Sequence, residues 1–375
     1  MTSTNLFFEP DHFARRRFRT AVSLHGHTLH SRERLDFVYR LAKRVAPLRV
    51  ALERGEARYQ AIHGSALDLS RAWWTPPLAP HDAWLLESKR IEDHFGWNAQ
   101  VSLTDHDDIE GPLALSVLEE CRETPVSVEW TVPYGHTFFH LGIHNLDPNL
   151  ARQTMRDLAA FTTRPSARLG ALLQYVAADP ASLVVFNHPH WDEKGIGEEA
   201  HRALARQFVE IHGQFIHAFE LNGLRPWKEN RTVFDLAKRF EKPMISGGDR
   251  HALEPNALLN LTNAASFAEF VDEIRDGYSD VLVTKQYREA YAVRIVQSIE
   301  DILGRHENHA LGWRHWSDRV FYECPDGVIR SLAELWGKDE PLAVRLFVGG
   351  IGLLRHPHFK QALRLALARR EEVVS

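Results

Sequence analysis

Histidine and carboxylate side chains recur in this sequence directly after short apolar runs. The first such run is followed by His25 and His27, two residues apart. A later run is followed by Asp249 and His251. Glu129 lies within an apolar run, where a buried carboxylate is costly unless it coordinates a metal, pairs with a cation or becomes neutral. Imidazole and carboxylate ligands without thiolate suit Zn, Mn or Fe, so the pattern predicts a transition-metal site.

The abundance of histidine, 22 of 375 residues, means that single motifs can arise by chance. Three His-x-His triplets occur, at 25/27, 188/190 and 356/358. At a strand end this spacing directs two imidazoles to one side, where both can bind the same ion. The alternative for any one of them is a chance pair or a structural core histidine. The recurrence at many strand ends is therefore the informative observation.

The elements that must position these residues are short strands alternating with longer helical patterns. Strands are predicted at 20–24, 100–104, 126–132, 137–143, 182–187, 217–221, 243–246 and 280–284. Helices are predicted at 33–55, 112–121, 150–161, 197–213, 231–240, 267–276 and 285–303. This alternation is typical of βα units and of a parallel sheet or barrel. The carboxyl ends of such strands meet on one face of the fold.

Seven predicted strands therefore direct candidate ligands to one face. These candidates are His25, His27, Glu33, Asp105, His106, Asp107, Glu129, His140, His144, His188, His190, Glu220, Asn222, Asp249, Arg250 and His251. Asp105 has an equally good interpretation as a helix N-cap. Glu220 and Asn222 are as well explained by hydrogen bonds that orient a ligand, or by backbone capping, as by coordination.

Two segments interrupt or follow the βα alternation. An insertion at about 54–98 contains Trp73 and Trp74 before two prolines, which predicts a protruding loop or cap. This cap either packs on the barrel or closes over substrate. After about residue 304 the alternation stops, so we predict a catalytic domain at 1–304 and a mostly helical extension at 305–375. Within that extension the apolar stretch 346–354 is predicted to be buried.

Composition excludes several classes of protein. The chain is 44% hydrophobic and 25% charged with a formal net charge of −5, as expected for a folded soluble domain. No long basic run supports an electrostatic grip on nucleic acid. The two cysteines, Cys121 and Cys324, are far apart and indicate neither a disulfide framework nor a thiolate metal site. No signal peptide or membrane-spanning run is recognised, which predicts a cytoplasmic protein with no membrane partner.

Together these motifs resemble, in order, those of the PHP (polymerase and histidinol phosphatase) superfamily. The similarity covers about 21–260, apart from the insertion, and lies closer to the small phosphoesterases of nucleotides and short RNA than to histidinol phosphatase. The motifs that carry it are Ser23–Ser31, Leu103–Asp107, Glu129, His140–Gly142, Asn187–His190, Glu220–Gly223 and Gly248–His251.

The resemblance implies a distorted (β/α)7 barrel and a cluster of two or three divalent ions. Its first ion would be held by His25, His27, Glu129 and Asp249, and its second by Glu129, His140 and His188. His106 and His251 would hold the third. The sequence departs from the usual pattern in two places: Arg32 stands where many members have aspartate, which leaves Glu33 as the nearest carboxylate for the third ion, and Ser23 stands where aspartate often precedes the histidine pair.

The function that these features predict is hydrolysis of a phosphate ester by metal-activated water. The substrate is expected to be a small phosphorylated molecule, with nucleotides and short RNA or DNA among the candidates. Glu129 and Asp249 would organise the ions, while His190, Arg250, Arg225 and Lys194 are candidates for contacts to the phosphate or leaving group. Two alternatives are an amidohydrolase-like enzyme that cleaves C–N bonds and a non-catalytic metal-binding regulatory module.

Overall fold

The computed structural model describes residues 3–9, 12–35, 38–39, 46–64, 66–337, 342–354, 361–362 and 365. Within them the chain forms three β-sheets with helices packed around them. The sheet that we call sheet 1 has the strand order β1 (Ser3–Phe8), β12 (Tyr278–Val283), β11 (Leu258–Thr262), β2 (Thr20–Leu24) and β5 (Asn98–Ser102). Strand β11 runs antiparallel to both of its neighbours, whereas the other pairs are parallel.

Sheet 2 also has five strands. Their order is β10 (Met244–Gly247), β9 (Ala218–Asn222), β8 (Leu183–Asn187), β7 (Thr137–His144) and β6 (Val128–Tyr134). The first three run parallel, while β7 is antiparallel to both β6 and β8. Every one of the eight predicted strands overlaps a strand of sheet 1 or sheet 2. The expectation of a parallel arrangement was wrong for part of the fold, because β6 and β7 form an antiparallel hairpin and β11 is antiparallel to its neighbours in sheet 1.

The α/β class is confirmed, but the hydrogen-bonded strands of the described residues form open sheets and no closed (β/α)7 barrel. Isolated backbone bridges nevertheless connect the two sheets on the side where the predicted ligands lie. Gly26 bridges Arg250, and His106 bridges Glu129. These bridges place the carboxyl end of β2 next to that of β10, and the carboxyl end of β5 next to the amino end of β6.

The main hydrophobic core lies between sheet 2 and the helices that cover it. These helices are α5 (Ala151–Thr163), α6 (Leu169–Ala178), α7 (Glu198–His212) and α8 (Trp227–Phe240). Trp130, Phe186, Phe208 and Phe219 are fully buried in this core. Each such side chain contributes roughly 1.5–3 kcal/mol of burial free energy, so the core holds the strands of sheet 2 in place.

The other helices of the described residues range in length from five to 18 residues. They are α1 (His12–Arg17), α2 (Ala46–His63), α3 (Pro80–Lys89), α4 (Glu110–Leu115), α9 (Phe267–Arg275), α10 (Tyr291–Leu303), α11 (Leu332–Trp336) and α12 (Leu342–Leu354). The helix predicted at 33–55 does not begin at its expected position, because residues 33 and 34 form a strand. Part of that predicted helix lies outside the described residues.

Sheet 3 joins the insertion to the C-terminal extension. Its order is β14 (Ile329–Ser331), β13 (Val320–Glu323), β4 (Ala72–Trp74) and β3 (Glu33–Arg34). The tryptophan pair predicted in a loop thus lies in a strand, because β13 supplies backbone partners nearly 250 residues further along the chain. The extension contains this hairpin as well as helices.

The apolar stretch 346–354 falls in α12, where Leu346 is 66% exposed, so its predicted burial was wrong at this residue. The third His-x-His triplet, at 356/358, lies outside the described residues. Among the described residues, no helix combines the length and apolar character needed to cross a bilayer.

Candidate metal centre

Three predicted ligands occupy left-handed backbone conformations just beyond the ends of their strands. His25 follows β2 with φ 61°, His188 follows β8 with φ 25°, and Asp249 lies two residues after β10 with φ 53°. Non-glycine residues rarely adopt positive φ, and such strain is concentrated at functional sites. The turn at each strand end directs these three side chains toward Glu129.

Glu129 is the centre of the cluster and is fully buried on β6. Its two carboxylate oxygens face different histidines. Oε2 lies 3.0 Å from His25 Nε2 and 3.3 Å from His27 Nε2. Oε1 lies 3.1 Å from His188 Nε2 and 3.5 Å from His140 Nδ1. One carboxylate therefore adjoins two sets of imidazoles, as a bridging ligand would.

The first set of donors combines the His25/His27 pair with two carboxylates. Asp249 Oδ1 lies 3.7 Å from His25 Nε2 and 3.5 Å from His27 Nε2. Donor atoms of His25, His27 and Glu129 all lie within 4.8 Å of one another. These four residues are the ones expected to hold the first ion.

A second set lies on the other side of Glu129. It contains His140 on β7 and His188 after β8, the residues expected at the second ion, which both face Oε1. His106 lies between the two sets, since its Nδ1 is 3.3 Å from Glu129 Oε2, the oxygen that faces the first set. Donor atoms of His106, Glu129 and His140 lie within 4.8 Å of one another. His106 is thereby adjacent to both the second set and the third.

The third set is built around Glu33. Its Oε2 lies 3.2 Å from His251 Nε2 and 3.4 Å from His106 Nε2, and these residues form one compact group with His27. Glu33 belongs to β3, where it pairs with Trp74, and is not at a helix N-terminus. The Ser31 hydroxyl donates to Glu33 Oε1 at 2.6 Å and also accepts from His106 N. Glu33 thus supplies the carboxylate of this third set.

The donor set fits divalent transition metals. His25 Nε2, His27 Nε2 and Glu129 Oε2 are buried and make no hydrogen bond within the described residues. Unsatisfied buried polar atoms cost about 1–3 kcal/mol each, so three that converge on one point indicate a ligand. A mixed set of imidazole and carboxylate donors suits Zn, Mn or Fe better than Ca.

Burial and neighbouring charges favour the charged form of Glu129 and the neutral forms of His27 and His140, but the protonated form of His25. Burial alone would raise the pKa of Glu129, but His25, His106 and His140 bring that pKa well below its usual value. Burial lowers the pKa of His140 well below its usual value, and the pKa of His27 is also lowered by burial and by His251. Burial opposes protonation of His25, yet Glu129 and Glu220 raise its pKa well above normal. Charged carboxylates and neutral imidazoles are the metal-binding forms.

Glu220 on β9 lies behind the cluster and orients His25. Its Oε1 lies 2.5 Å from His25 Nδ1, while Oε2 accepts from His188 N at 2.8 Å and from Asn222 Nδ2 at 2.9 Å. A methyl group on Gly247 would come within 1.7 Å of Glu220 Oε1, so only glycine fits beside this carboxylate. Of the two interpretations left open by the sequence, the geometry supports the orienting one. Asn222 also donates to Asp249 Oδ2 at 3.2 Å.

Asp105 and Asp107 support the backbone and do not join the three donor groups found among the described residues. Asp105 accepts from the Thr28 backbone N at 2.6 Å and from its hydroxyl at 2.8 Å, which ties the first motif to the second. Burial raises the pKa of Asp105 to about 7. Asp107 accepts from Thr131 N at 2.8 Å, and burial raises its pKa to about 6. The N-cap alternative for Asp105 is not observed.

Arg250 and His190 were predicted near the reacting phosphate, and the structure places both side chains in other contacts. The Arg250 guanidinium is 3% exposed and donates from Nε to Glu87 at 2.9 Å. Glu87 also accepts from the Ser23 hydroxyl at 3.0 Å, so Ser23 helps to hold this buried carboxylate. His190 Nδ1 lies 2.6 Å from the Thr232 hydroxyl, and burial lowers its pKa to about 4.

Glu87 could not be singled out from the sequence, because it lies on a helix inside the predicted insertion and its role depends on the ion pair with the distant Arg250. His144, a candidate beyond the fourth strand, is also structural. Its Nδ1 lies 2.8 Å from the Ser102 hydroxyl, and burial lowers its pKa to about 3.

The rim of the cluster carries aromatic and cationic groups. Trp74 lies with its ring 5.9 Å from that of His251, so sheet 3 reaches the centre. The Arg225 guanidinium lies 3.6 Å above the ring of Trp191. Next to His251 is a cavity of about 250 Å³ whose wall includes Gly223 and Arg294. Of the proposed metal-binding residues, His251 lines this cavity, so the cavity lies beside the third set.

No family model and no curated protein matches this chain. Several solved structures resemble it weakly. An amidohydrolase from Chromobacterium violaceum is 15% identical and covers 54% of this chain and 93% of its own, with a TM-score of 0.38. PsfC from Pseudomonas syringae is 12% identical over 75% of this chain and 96% of its own, with a TM-score of 0.41. A protein from Bifidobacterium adolescentis, named as a metal-dependent phosphoesterase, is 15% identical over 54% of this chain and 92% of its own, with a TM-score of 0.32.

Proposed function

We propose that this chain is a metal-dependent phosphoesterase of the PHP type that hydrolyses a small phosphate ester. The observation that carries the proposal is the position of Glu129, whose two oxygens each face a separate set of histidines. A carboxylate shared in this way suits a pair of ions held a few ångströms apart, the arrangement used in many phosphoryl-transfer sites. Nucleotides and short oligonucleotides are the substrates that the family resemblance favours.

Two or three divalent ions, Zn, Mn or Fe, are proposed for the three donor sets. When bound, they would lower the pKa of water and polarise a phosphoryl oxygen. Glu129 would be the bridging ligand, and Asp249 would belong to the first set. Glu33 completes the third set, because its Oε2 lies within 3.4 Å of both His106 Nε2 and His251 Nε2.

The chain's own residues would prepare this site before any substrate arrives. Glu220 accepts the Nδ1 proton of His25, which leaves Nε2 of that ring free to coordinate. Asn187 donates to Glu129 Oε1 at 2.9 Å and fixes the plane of the carboxylate. Burial of the whole cluster excludes bulk water and strengthens every interaction between charged groups within it.

We further propose that β2 and β5 of sheet 1, together with the five strands of sheet 2, form the distorted seven-stranded barrel that the resemblance implies. Support comes from the two isolated bridges and from three backbone hydrogen bonds across the same gaps. His27 N donates to Arg250 O at 2.8 Å, Gly248 N to Leu24 O at 2.8 Å, and Asp107 N to Glu129 O at 2.9 Å. In this arrangement Arg250 acts through its backbone and its Glu87 pair as a positioning residue.

The test is a panel of phosphate monoesters and diesters, with amide and ester substrates alongside, assayed on protein reconstituted with Mn, Zn or Fe. Elemental analysis of the same samples gives the number of ions per chain. We expect two or three ions and turnover of at least one phosphoester class that is lost reversibly on chelation. Turnover of C–N substrates alone would favour the amidohydrolase-like alternative. Bound metal without turnover of any substrate would favour a regulatory module.

A further inference from the structure

Four side chains were candidates for contact with a substrate phosphate, and the structure distinguishes among them. Arg250 and His190 are engaged in the contacts described above. Lys194 is exposed, with its ammonium 5.4 Å from the ring of Phe138. Arg225 alone of the four forms an ion pair with a residue of the metal cluster, with Nη2 3.4 Å from Asp249 Oδ2.

The Arg225 guanidinium is held in a defined plane. Its carbon lies 3.6 Å from the centroid of the Trp191 ring, a cation–π contact that fixes one face of the group. The side chain is only 12% exposed. Its buried Nε makes no hydrogen bond within the described residues. The Arg225 guanidinium has five N–H donors, and its contact with Asp249 does not use all of them.

The backbone of Arg225 is equally constrained. Its carbonyl accepts from the Tyr287 hydroxyl at 3.0 Å and from Arg294 Nη2 at 3.3 Å. Arg225 N donates to Asn222 O at 3.3 Å, which closes the turn that follows β9. Because both ends of the residue are fixed, the guanidinium would need little reorganisation when an anion binds.

We propose that Arg225, seated on Trp191 and beside Asp249, is the group that binds the non-bridging phosphate oxygens of the substrate. A planar guanidinium matches two oxygens of a phosphate, which a lysine ammonium cannot do. The proposal rests on the proposed function, since it assumes that the substrate is a phosphate ester. A phosphate held here lies directly beside Asp249 of the first donor set.

The experiment compares Arg225→Met and Arg225→Lys with the wild-type protein, all reconstituted with the same metal. Arg239→Met is the matched control, because Arg239 also pairs with a carboxylate, Glu210 at 2.9 Å, and lies near an aromatic ring, but at an exposed position on α8. Binding of inorganic phosphate is measured by titration calorimetry, metal content by elemental analysis, and kcat/KM with the substrate found in the panel.

Loss of the charge-assisted contact should weaken phosphate binding in Arg225→Met by about 10- to 100-fold. Arg225→Lys should lie between this variant and wild type, metal content should not change, and Arg239→Met should match wild type. A phosphate Kd in Arg225→Met within about twofold of wild type, or no phosphate binding by wild type, would overturn the inference. So would the loss of an ion, which would assign Arg225 only to holding Asp249.

The calorimetric result separates this inference from the proposed function. If phosphate binding depends on Arg225 but no phosphoester is hydrolysed, the proposed function fails and the anion subsite stands. If phosphoesters are hydrolysed but Arg225→Met retains wild-type phosphate affinity, the subsite assignment fails and the function stands.

Discussion

Replacement of Glu220 by glutamine tests whether the metal centre depends on a group that binds no ion itself. In the native protein three donors converge on this carboxylate: His25 Nδ1, His188 N and Asn222 Nδ2. Glutamine offers one carbonyl oxygen and one NH₂ group. If the oxygen takes the place of Oε2 and serves the latter two donors, the NH₂ group faces His25 Nδ1.

That arrangement would force His25 into its other tautomer. Nδ1 would then accept from the amide, and the ring proton would move to Nε2, the atom that faces Glu129 and Asp249. The opposite amide orientation would leave two donors facing NH₂, at a cost of about 1–3 kcal/mol for each unsatisfied group. In either orientation the first donor set should bind its ion less tightly. Loss of such an orienting partner typically lowers metal affinity by about 10–100-fold, or 1.4–2.7 kcal/mol.

The assay is competition for metal between the protein and a chromogenic chelator, with Glu210→Gln as the control because Glu210 is an exposed carboxylate on α7. Urea denaturation of the metal-free proteins measures the accompanying change in folding free energy. Metal affinity in Glu220→Gln equal to wild type, together with unchanged stability, would refute the orienting role. A fall in stability alone, with unchanged affinity, would show that the hydrogen bonds matter for folding and not for the metal.

Two further predictions concern the metal cluster, and a third concerns His217, a buried histidine outside it. Glu129→Gln should lower the metal content by more than one ion and abolish turnover, since both donor sets share this carboxylate; elemental analysis showing wild-type content would contradict the bridging role. Glu33→Ala should remove about one ion and reduce activity at limiting metal while the first donor set stays filled, and an unchanged metal titration would assign Glu33 to a structural role. His217 has its pKa lowered to about 3 by burial, then by Arg275 and Lys242, and its Nδ1 accepts from Val184 N at 2.9 Å. Because the pKa in the folded protein lies below the ordinary 6.5, the stabilising contribution of His217 is complete above pH 6.5 and is lost as the pH falls toward 3. Denaturation of the metal-free proteins at several pH values measures this effect. The free energy of unfolding should fall less steeply with decreasing pH in His217→Asn than in the wild type, and equal slopes in the two proteins would contradict the assignment.

The strands of sheets 1 and 2 that carry most of the predicted ligands could be recognised from the sequence because they are locally encoded. Strand β8, for example, begins with four consecutive apolar residues, Leu183 to Phe186, and is buried on both faces, so composition alone identifies it. Strand β11 was missed although it is fully buried, because Asn260 and Thr262 interrupt its apolar pattern. Its polar side chains are satisfied by remote groups: Asn260, for example, accepts from Ser246 N at 2.7 Å.

The identities of the histidines and carboxylates were also evident from the sequence, because imidazole and carboxylate groups at strand ends carry their chemistry in their residue types. The sequence likewise identified Glu129 as anomalous, since a carboxylate in an apolar strand needs a partner. Which atoms face one another was decided by the tertiary structure. His106 joins two donor sets only because the turn after β5 bridges β6, and Glu33 reaches His251 only because β3 pairs with β4.

The roles of the two arginines depend on tertiary structure and could not be predicted from the local sequence pattern. Arg225 and Arg250 each follow a strand, and nothing in their flanking residues distinguishes a cation at a rim from one in a buried pair. Arg250 forms a buried ion pair with Glu87, which is more than 160 residues away in the sequence. Arg225 instead stacks on Trp191 and pairs with Asp249. The sequence by itself determined the residue types and the strands that deliver them. The tertiary structure decided their partners, because long-range packing sets the distances on which coordination and ion pairing depend.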